Sequence, residues 1–311
     1  MKINSKIAVV VPVYQAGEII DELCIRVIDN LSKITHKFEI ILVDDSSSDN
    51  SWDKIKENSL KDQRVKGYLL SRNFGQHHAI TAGLDIVSAE WIIVMDCDLQ
   101  DNPDEIINLY QEAIKGFDIV LAARKNRKDH IFKRITSKFF YVVLSFFSGL
   151  KFNGEVGNFG IYNNKVVKNI NEIREPFRFF VSSVKWLGFK STTINVSHEK
   201  RFEGKSSYNF KKLLSLSINI IISFSNKPLK MMIFTGFGFI LFSFLFIVYT
   251  LYLKFIGQIT ELGYTSIISS IWLLSGVILF SSGILGIYIG KIYDGIKNRP
   301  LYIISEKTSY E

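Results

Sequence analysis

The residues best suited to chemistry in this chain are acidic and follow apolar runs. Trp91-Ile-Ile-Val-Met95 reads as a buried strand and ends in Asp96-Cys-Asp98, with Gln100 and Asp101 close behind. On an extended chain, residues i and i+2 share one face, so the strand end is expected to aim both carboxylates at one point. Like charges held that close repel unless a cation lies between them, and an oxygen-only set suits Mg²⁺ or Mn²⁺. Such ions commonly bind through one or two carboxylates plus the phosphates of a substrate. Acidic residues also populate ordinary strand-to-loop junctions, so a metal site here requires a phosphate-binding surround elsewhere in the chain.

The elements that must position this motif alternate. Ile7–Val11, Glu39–Val43, Val65–Leu70, Trp91–Met95 and Asp118–Ala122 are strand candidates, with helical patterns at Glu18–Ser32, Ser51–Ser59, His77–Val87 and Asp104–Lys115 between them. That order predicts an α/β fold with a mostly parallel sheet and helices on both faces. Ligands of such sheets bind beyond the carboxyl ends of the strands. Polar residues stand there after the first strand (Pro12-Val-Tyr14), the second (Asp44-Asp45-Ser-Ser-Ser-Asp49) and the fourth. No Gly-x-Gly-x-x-Gly follows the first strand, which argues against a dinucleotide dehydrogenase, and no Gly-Lys-Ser phosphate loop is present. Ser48 or Asp49 is expected to cap the helix beginning near Trp52. Asp45 sits too early for that job, so a nucleotide contact is the expected role. His77 and His78 have no partner at metal-ligand spacing and are read as structural.

Two basic clusters follow. Arg124, Lys125, Arg127, Lys128, Lys133, Arg134 and Lys138 face only Asp129, and Arg201-Phe-Glu-Gly-Lys205-Ser-Ser-Tyr208 combines cations with a flexible glycine and hydroxyls. A charge run is usually a solvated face, but the first cluster continues from a strand end on the sheet edge that carries the acidic motif, so part of it can meet phosphates. Asn209–Ser225 has the pattern of an interfacial amphipathic helix. Met231–Leu253 and Leu262–Gly290 carry no charge. At about 1.5 Å per residue, each is long enough to span a bilayer. Lysines at 205, 211, 212, 227 and 230 precede the first run, and Lys291, Lys297 and Arg299 follow the second. The positive-inside rule therefore places both termini in the cytoplasm. The net charge of +8 suits anionic head groups and phosphates, and no nucleic-acid module is recognisable. Cys24 and Cys97 form no disulfide framework. The resulting layout is a cytoplasmic catalytic domain over 1–208, an interfacial helix over 209–227, a two-helix membrane hairpin over 228–290 and a cytoplasmic tail over 291–311.

Val11-Pro-Val-Tyr14, Val43-Asp-Asp-Ser-Ser-Ser-Asp49, Ser71-Arg-Asn-Phe-Gly75 and Asp96-Cys-Asp-Leu-Gln-Asp101 together resemble family-two glycosyltransferases of the GT-A fold. The resemblance is closest to the membrane-anchored polyprenyl-phosphate glycosyltransferases, a group that includes dolichol-phosphate mannose synthase. It continues through Arg201–Tyr208, Ser223-Phe-Ser-Asn-Lys-Pro228, Ile287–Tyr293 and Asn298-Arg-Pro-Leu-Tyr302. It implies an inverting, metal-dependent transfer of sugar from a nucleotide sugar, a UDP-sugar by analogy, to undecaprenyl phosphate at the bacterial cytoplasmic membrane, and a homo-oligomer. It carries nucleotide contacts onto Pro12, Tyr14 and Asp45, and the metal and diphosphate site onto Asp96, Asp98 and Gln100, with the backbone of Cys97 alongside. Cys97 itself reads as a small filler. Arg124 falls at the donor diphosphate, and Arg201 and Lys205 at the lipid phosphate.

One segment departs from that family. Many bacterial members have an aspartate in a Gly-Asp-Phe-Arg-Leu pattern, whereas this chain has Gly157-Asn158-Phe159-Gly160-Ile161. Asn158 cannot take a proton, so no general base acts from this position. A phosphate acceptor is already an anion and needs none; a sugar hydroxyl would. Asn158 could instead hold donor or acceptor by hydrogen bonds, or mark a different donor. The alternatives are a transferase that glycosylates a hydroxyl of a lipid-linked saccharide or other lipid, and an inactive nucleotide-sugar-binding scaffold. A processive synthase fits less well, because two spans offer no evident export channel.

Overall fold

The computed structural model describes residues 5–124, 145–149, 156–176, 178–196, 217–223, 225–257 and 263–308. In chain order its elements are β1 (Ile7–Val13), α1 (Ile20–Ile34), β2 (Phe38–Asp44), α2 (Ser51–Lys61), β3 (Val65–Leu70), α3 (Gln76–Ile86) and β4 (Trp91–Val94). A 3₁₀ turn at Pro103–Glu105 leads into α4 (Ile106–Ala113) and β5 (Ile119–Arg124). Then come β6 (Val156–Asn163), α5 (Asn164–Glu172), α6 (Phe180–Trp186), β7 (Ser191–Val196), α7 (Lys227–Phe255), α8 (Tyr264–Ile296) and β8 (Ile304–Lys307).

The strands form one eight-stranded sheet in the order β7-β5-β6-β4-β1-β2-β3-β8. β1 pairs parallel with both β2 and β4, β2 with β3, and β5 with β7. β6 runs antiparallel between β4 and β5, and β8 runs antiparallel along β3. β1 and β2 are buried along their whole length, as continuous apolar runs covered on both faces should be. Alternation divides their side chains. Val9, Val11, Ile40, Leu42 and Ile93 pack with Leu23, Val27 and Leu31 of α1 and with Ile106 and Leu109 of α4. Val10, Ile41, Val43, Ile92 and Val94 pack on the other face with Ala79 and Ile80 of α3, Val166 and Ile170 of α5, and Val184 of α6. Each such side chain contributes about 1.5–3 kcal/mol of burial. Gly83 lets α3 lie close on β1, since a Cβ there would sit 2.3 Å from Val10 Cγ1.

The five parallel strands read from sequence are all present, with ends shifted by a residue or two. The antiparallel β6 and β8 and the edge strand β7 were not anticipated. Within the stretch 291–311, expected to be a tail, α8 runs on to Ile296 and Ile304–Lys307 adds β8 to the sheet as an edge strand. Ser71 N–H donates to Ile303 O at 2.9 Å, Trp52 Nε1 to Glu306 Oε2 at 2.9 Å, and Thr308 N–H to Gly67 O at 2.9 Å. Ahead of β8, Tyr302 Oη donates to Asp85 Oδ2 at 2.8 Å, and Arg174 grips the same carboxylate with two bonds of 2.7 and 2.9 Å.

The chain divides into two compact units, one of Met1–Val142, Leu150–Asn209 and Arg299–Glu311, the other of Val143–Gly149 and Phe210–Asn298. The second holds α7 and α8. Their stretches Lys227–Phe246 and Ser270–Ile296 are long and apolar enough to cross a membrane. Side chains such as Phe237, Phe242, Trp272 and Leu279 are exposed along them, an arrangement that water disfavours and lipid accommodates. Within this unit the Lys227 ammonium caps the Phe146 carbonyl and lies over its ring, and Tyr288 Oη donates to Ser225 O at 2.8 Å. Of the expected interfacial helix, residues 217–223 are described and are helical.

Candidate functional site

β1 connects through α1 to β2 on one side, while β4 lies on its other side, so the strand order reverses between β1 and β4. Their carboxyl ends diverge there. Val13 O accepts from Asp45 N–H and Val10 O from Met95 N–H, so odd residues of β1 face β2 and even residues face β4. Pro12 therefore directs its missing N–H toward β4, which has already ended at Val94, and no ladder bond is lost. This gap is the usual ligand crevice of an open α/β sheet. A non-glycine residue with positive φ stands in the loop after each of β1, β2 and β4: Gln15 (50°), Ser46 (59°) and Leu99 (55°). Such strain collects where a site fixes the backbone.

The loops after β1 and β2 are laced together. Gln15 N–H donates to Ser47 Oγ at 2.9 Å, Ala16 N–H to Ser51 Oγ at 2.9 Å and Gly17 N–H to Asp49 Oδ2 at 3.1 Å. The N-cap of α2 is Asn50, without a side-chain capping bond. Asp49, expected as a cap together with Ser48, stands one residue earlier and accepts from both the N–H and the hydroxyl of Ser51. Its second oxygen is committed to Gly17, which is why it serves the loop junction rather than the helix end.

Asp45 is buried, and both its oxygens accept backbone N–H groups, Oδ1 from Phe74 at 2.7 Å and Oδ2 from Gly75 at 2.8 Å. The residue expected at the nucleotide thus fastens the loop ahead of α3 to the end of β2. Asp44, which sequence reasoning quoted but did not single out, is fully buried. Its Oδ1 accepts from the Ser47 N–H and hydroxyl, while Oδ2 has no hydrogen-bond partner among the described residues. Desolvation pushes both carboxyls above their ordinary range.

The acidic motif does not lie on an extended strand. β4 stops at Val94, and Asp96-Cys-Asp-Leu99 forms a turn in which Leu99 is left-handed and Gln100 N–H donates to Asp98 Oδ1 at 3.2 Å. Turn geometry, rather than strand alternation, therefore sets where the two carboxylates point. Asp96 Oδ1 accepts from Gln76 Nε2 at 2.7 Å and lies 3.4 Å from Asn158 Nδ2. Asn158 arrives there by register: Val94 pairs with Gly160 across antiparallel strands, which carries 158 to the level of 96. Tyr162, fully buried, donates to Asn158 O at 3.1 Å and steadies that end of β6. Gly160 is packed so that a Cβ would sit 2.7 Å from Val120 O.

Tyr14 is exposed at the end of β1, and Pro12 is buried within it. Cys97 packs against the core as a filler, and desolvation pushes its thiol up to about 12, so it stays neutral. His77 abuts Phe179 with ring centroids 4.9 Å apart, and burial beside His78 and Arg178 holds it down to about 4. Arg124 ends β5 in register with Val196. Arg201, Lys205 and the basic run from Lys125 to Lys138 lie outside the described residues. Among the described residues no three His, Cys, Asp or Glu side chains converge as a complete metal cage. Asp96 and Asp98, with the neutral Cys97 between them in sequence, belong to one turn and offer only oxygen as ligand atoms. That set fits a hard divalent cation whose remaining ligands come from substrate phosphates and water.

Comparison with known proteins agrees with this architecture. The profile of Glycosyl transferase family 2 matches residues 8–171. The uncharacterized glycosyltransferase YkcC of Bacillus subtilis (strain 168) is 36% identical over 98% of this chain and 94% of its own length. The undecaprenyl-phosphate 4-deoxy-4-formamido-L-arabinose transferase of Shewanella sediminis (strain HAW-EB3) is 32% identical over 98% of this chain and 94% of its own. Glucosyl-3-phosphoglycerate synthase of Mycobacterium tuberculosis, solved with Mn²⁺, UDP and phosphoglyceric acid, superposes with a TM-score of 0.51. It covers 70% of this chain and 77% of that one at 13% identity, a likeness of fold. The chain belongs to glycosyltransferase family 2, and its sheet is the GT-A fold.

Proposed function

We propose that this protein is an inverting glycosyltransferase that moves a sugar from a nucleotide sugar, a UDP-sugar, to the phosphate of a polyprenyl phosphate at the cytoplasmic face of the bacterial membrane. The observation that carries this reading is the full-length relationship to an undecaprenyl-phosphate sugar transferase, which includes both apolar helices as well as the catalytic sheet. A soluble-acceptor enzyme would have no use for those helices, whereas a polyprenyl acceptor confines the reaction to the membrane surface.

The residues divide the work. The crevice between β1 and β4 takes the nucleotide, with Tyr14 and the Asp44–Asp49 loop at its rim. Asp96 and Asp98 would hold a divalent Mg²⁺ or Mn²⁺, which when bound supplies positive charge to offset that of the departing diphosphate. Arg124 is assigned to the same diphosphate, and Arg201 and Lys205 to the lipid phosphate. Asn158, an amide at the level of Asp96, can orient a substrate oxygen but cannot accept its proton, which favours an acceptor that is already ionised.

Full-length protein incubated with a panel of radiolabelled UDP-sugars, undecaprenyl phosphate and Mg²⁺ tests the reading. The expected product is a glycosyl monophosphate that mild acid hydrolyses. An acid-stable glycoside would shift the acceptor to a hydroxyl, and UDP binding without turnover on any donor would reduce the chain to a binding scaffold.

A further inference from the structure

Gln76 is the first residue of α3, and its side chain leaves the helix for the carboxylate turn. Its Nε2 lies 2.7 Å from Asp96 Oδ1, the same oxygen that Asn158 Nδ2 approaches at 3.4 Å. The amide must present its NH₂ rather than its oxygen, because a carboxylate oxygen can only accept. Gln76 is itself held in place: Gly75, at φ 98°, makes a turn that few side chains tolerate, and Asp45 accepts the N–H groups of Phe74 and Gly75. A chain of contacts thus runs from the end of β2, through the start of α3, to the turn after β4.

We propose that Gln76 is a positioning residue for Asp96, and that Asp45 acts through it. A carboxylate is a broad, two-fold rotor about its last bond. Amide donors on Oδ1 fix that rotation and so set the direction in which the carboxylate would be presented to a donor diphosphate and its cation. Lysine or arginine could orient the group too, but would add positive charge that competes with the cation; an amide orients without competing. This inference rests on Asp96 acting on the donor side, as proposed above.

The test uses the full-length protein in detergent, with UDP binding measured by calorimetry at several Mn²⁺ concentrations and in its absence. Gln76→Ala is expected to weaken Mn²⁺-supported UDP binding about 10-fold, within the range for residues that orient metal ligands. Gln76→Glu, of the same shape but unable to donate an N–H to the Asp96 carboxylate, should not restore the loss. Both variants should bind UDP without metal as the wild type does and melt at the wild-type temperature. Wild-type Mn²⁺ dependence in both variants would overturn the positioning role. Equal losses with and without Mn²⁺ would make Gln76 a direct nucleotide contact, which also overturns it. No Mn²⁺ effect in the wild type itself would remove the donor-side role of Asp96 and this inference with it.

Discussion

Asn158 and Asp96 face each other because antiparallel register puts them on one level, 3.4 Å apart from amide nitrogen to carboxylate oxygen. A carboxylate in place of Asn158 would confront Asp96 with a like charge, which a cation or proton would have to relieve. The amide removes that repulsion and with it the possibility of proton transfer.

Asn158→Ala is therefore expected to slow sugar transfer less than 10-fold or so, whereas loss of a general base typically costs about 10²–10⁴-fold. The pH–rate profile should keep its shape. Asn158→Asp should transfer slowly at low Mg²⁺ and recover as Mg²⁺ is raised. A loss of about 10³-fold in Asn158→Ala would mean that the amide touches the reacting atoms in a role beyond orientation.

Asp98→Ala should lower transfer by roughly 10²-fold or more, since charge on the leaving diphosphate would lose its counter-charge. Treatment of the wild type with EDTA should stop transfer, and added Mg²⁺ or Mn²⁺ should restore it. Transfer at the wild-type rate by Asp98→Ala would remove that residue from the site.

Much of this was legible in sequence because it depends on local pattern. The continuous apolar runs of β1, β2 and β4 and the polar residues at their ends announced a parallel sheet with a crevice. β6 was hidden because Gly157, Asn158 and Gly160 interrupt its alternation, although Phe159 and Ile161 face one core and Tyr162 the other. β8 is exposed and polar, so only its pairing with β3 defines it. The part Asp45 plays in fastening the α3 loop was hidden for a related reason: its partners, Phe74 and Gly75, lie about 30 residues away and donate from the backbone, which no side-chain pattern reveals. Gln76 could have been suspected from its place beside the Arg-Asn-Phe-Gly motif, but its target lies on another strand end.

Tyr302 joins the returning chain to α3 through Asp85, which also holds Arg174. Tyr302→Phe removes one hydrogen bond to a charged group and is expected to cost about 1.5 kcal/mol. For a unit of this size that corresponds to a fall of roughly 3–6 °C in Tm. Asp85→Ala, which strands both partners, should fall further. An unchanged melting temperature in Tyr302→Phe would show that the Tyr302 hydroxyl contributes nothing to holding β8.

Glu39 is a source of acid sensitivity within the sheet. It is buried at the start of β2, where Lys6 Nζ lies 2.9 Å and Lys66 Nζ 2.7 Å from its two oxygens. Desolvation pushes its carboxyl up, but the hydrogen bonds and charges of Lys66 and Lys6 outweigh that and hold it below the ordinary glutamate range. A group with a lowered folded-state pKa binds its proton more readily in the unfolded chain. Its stabilisation is therefore complete above the unfolded value, about 4.3, and is lost as pH falls from there through the lower folded value. Thermal unfolding of the wild type should show a declining Tm across that window. Glu39→Gln, unable to ionise, should be less stable at pH 7 by about 2 kcal/mol, the worth of a charged hydrogen-bonded pair, and should decline less on acidification. Parallel acid limbs in the two proteins would assign the decline to other carboxylates.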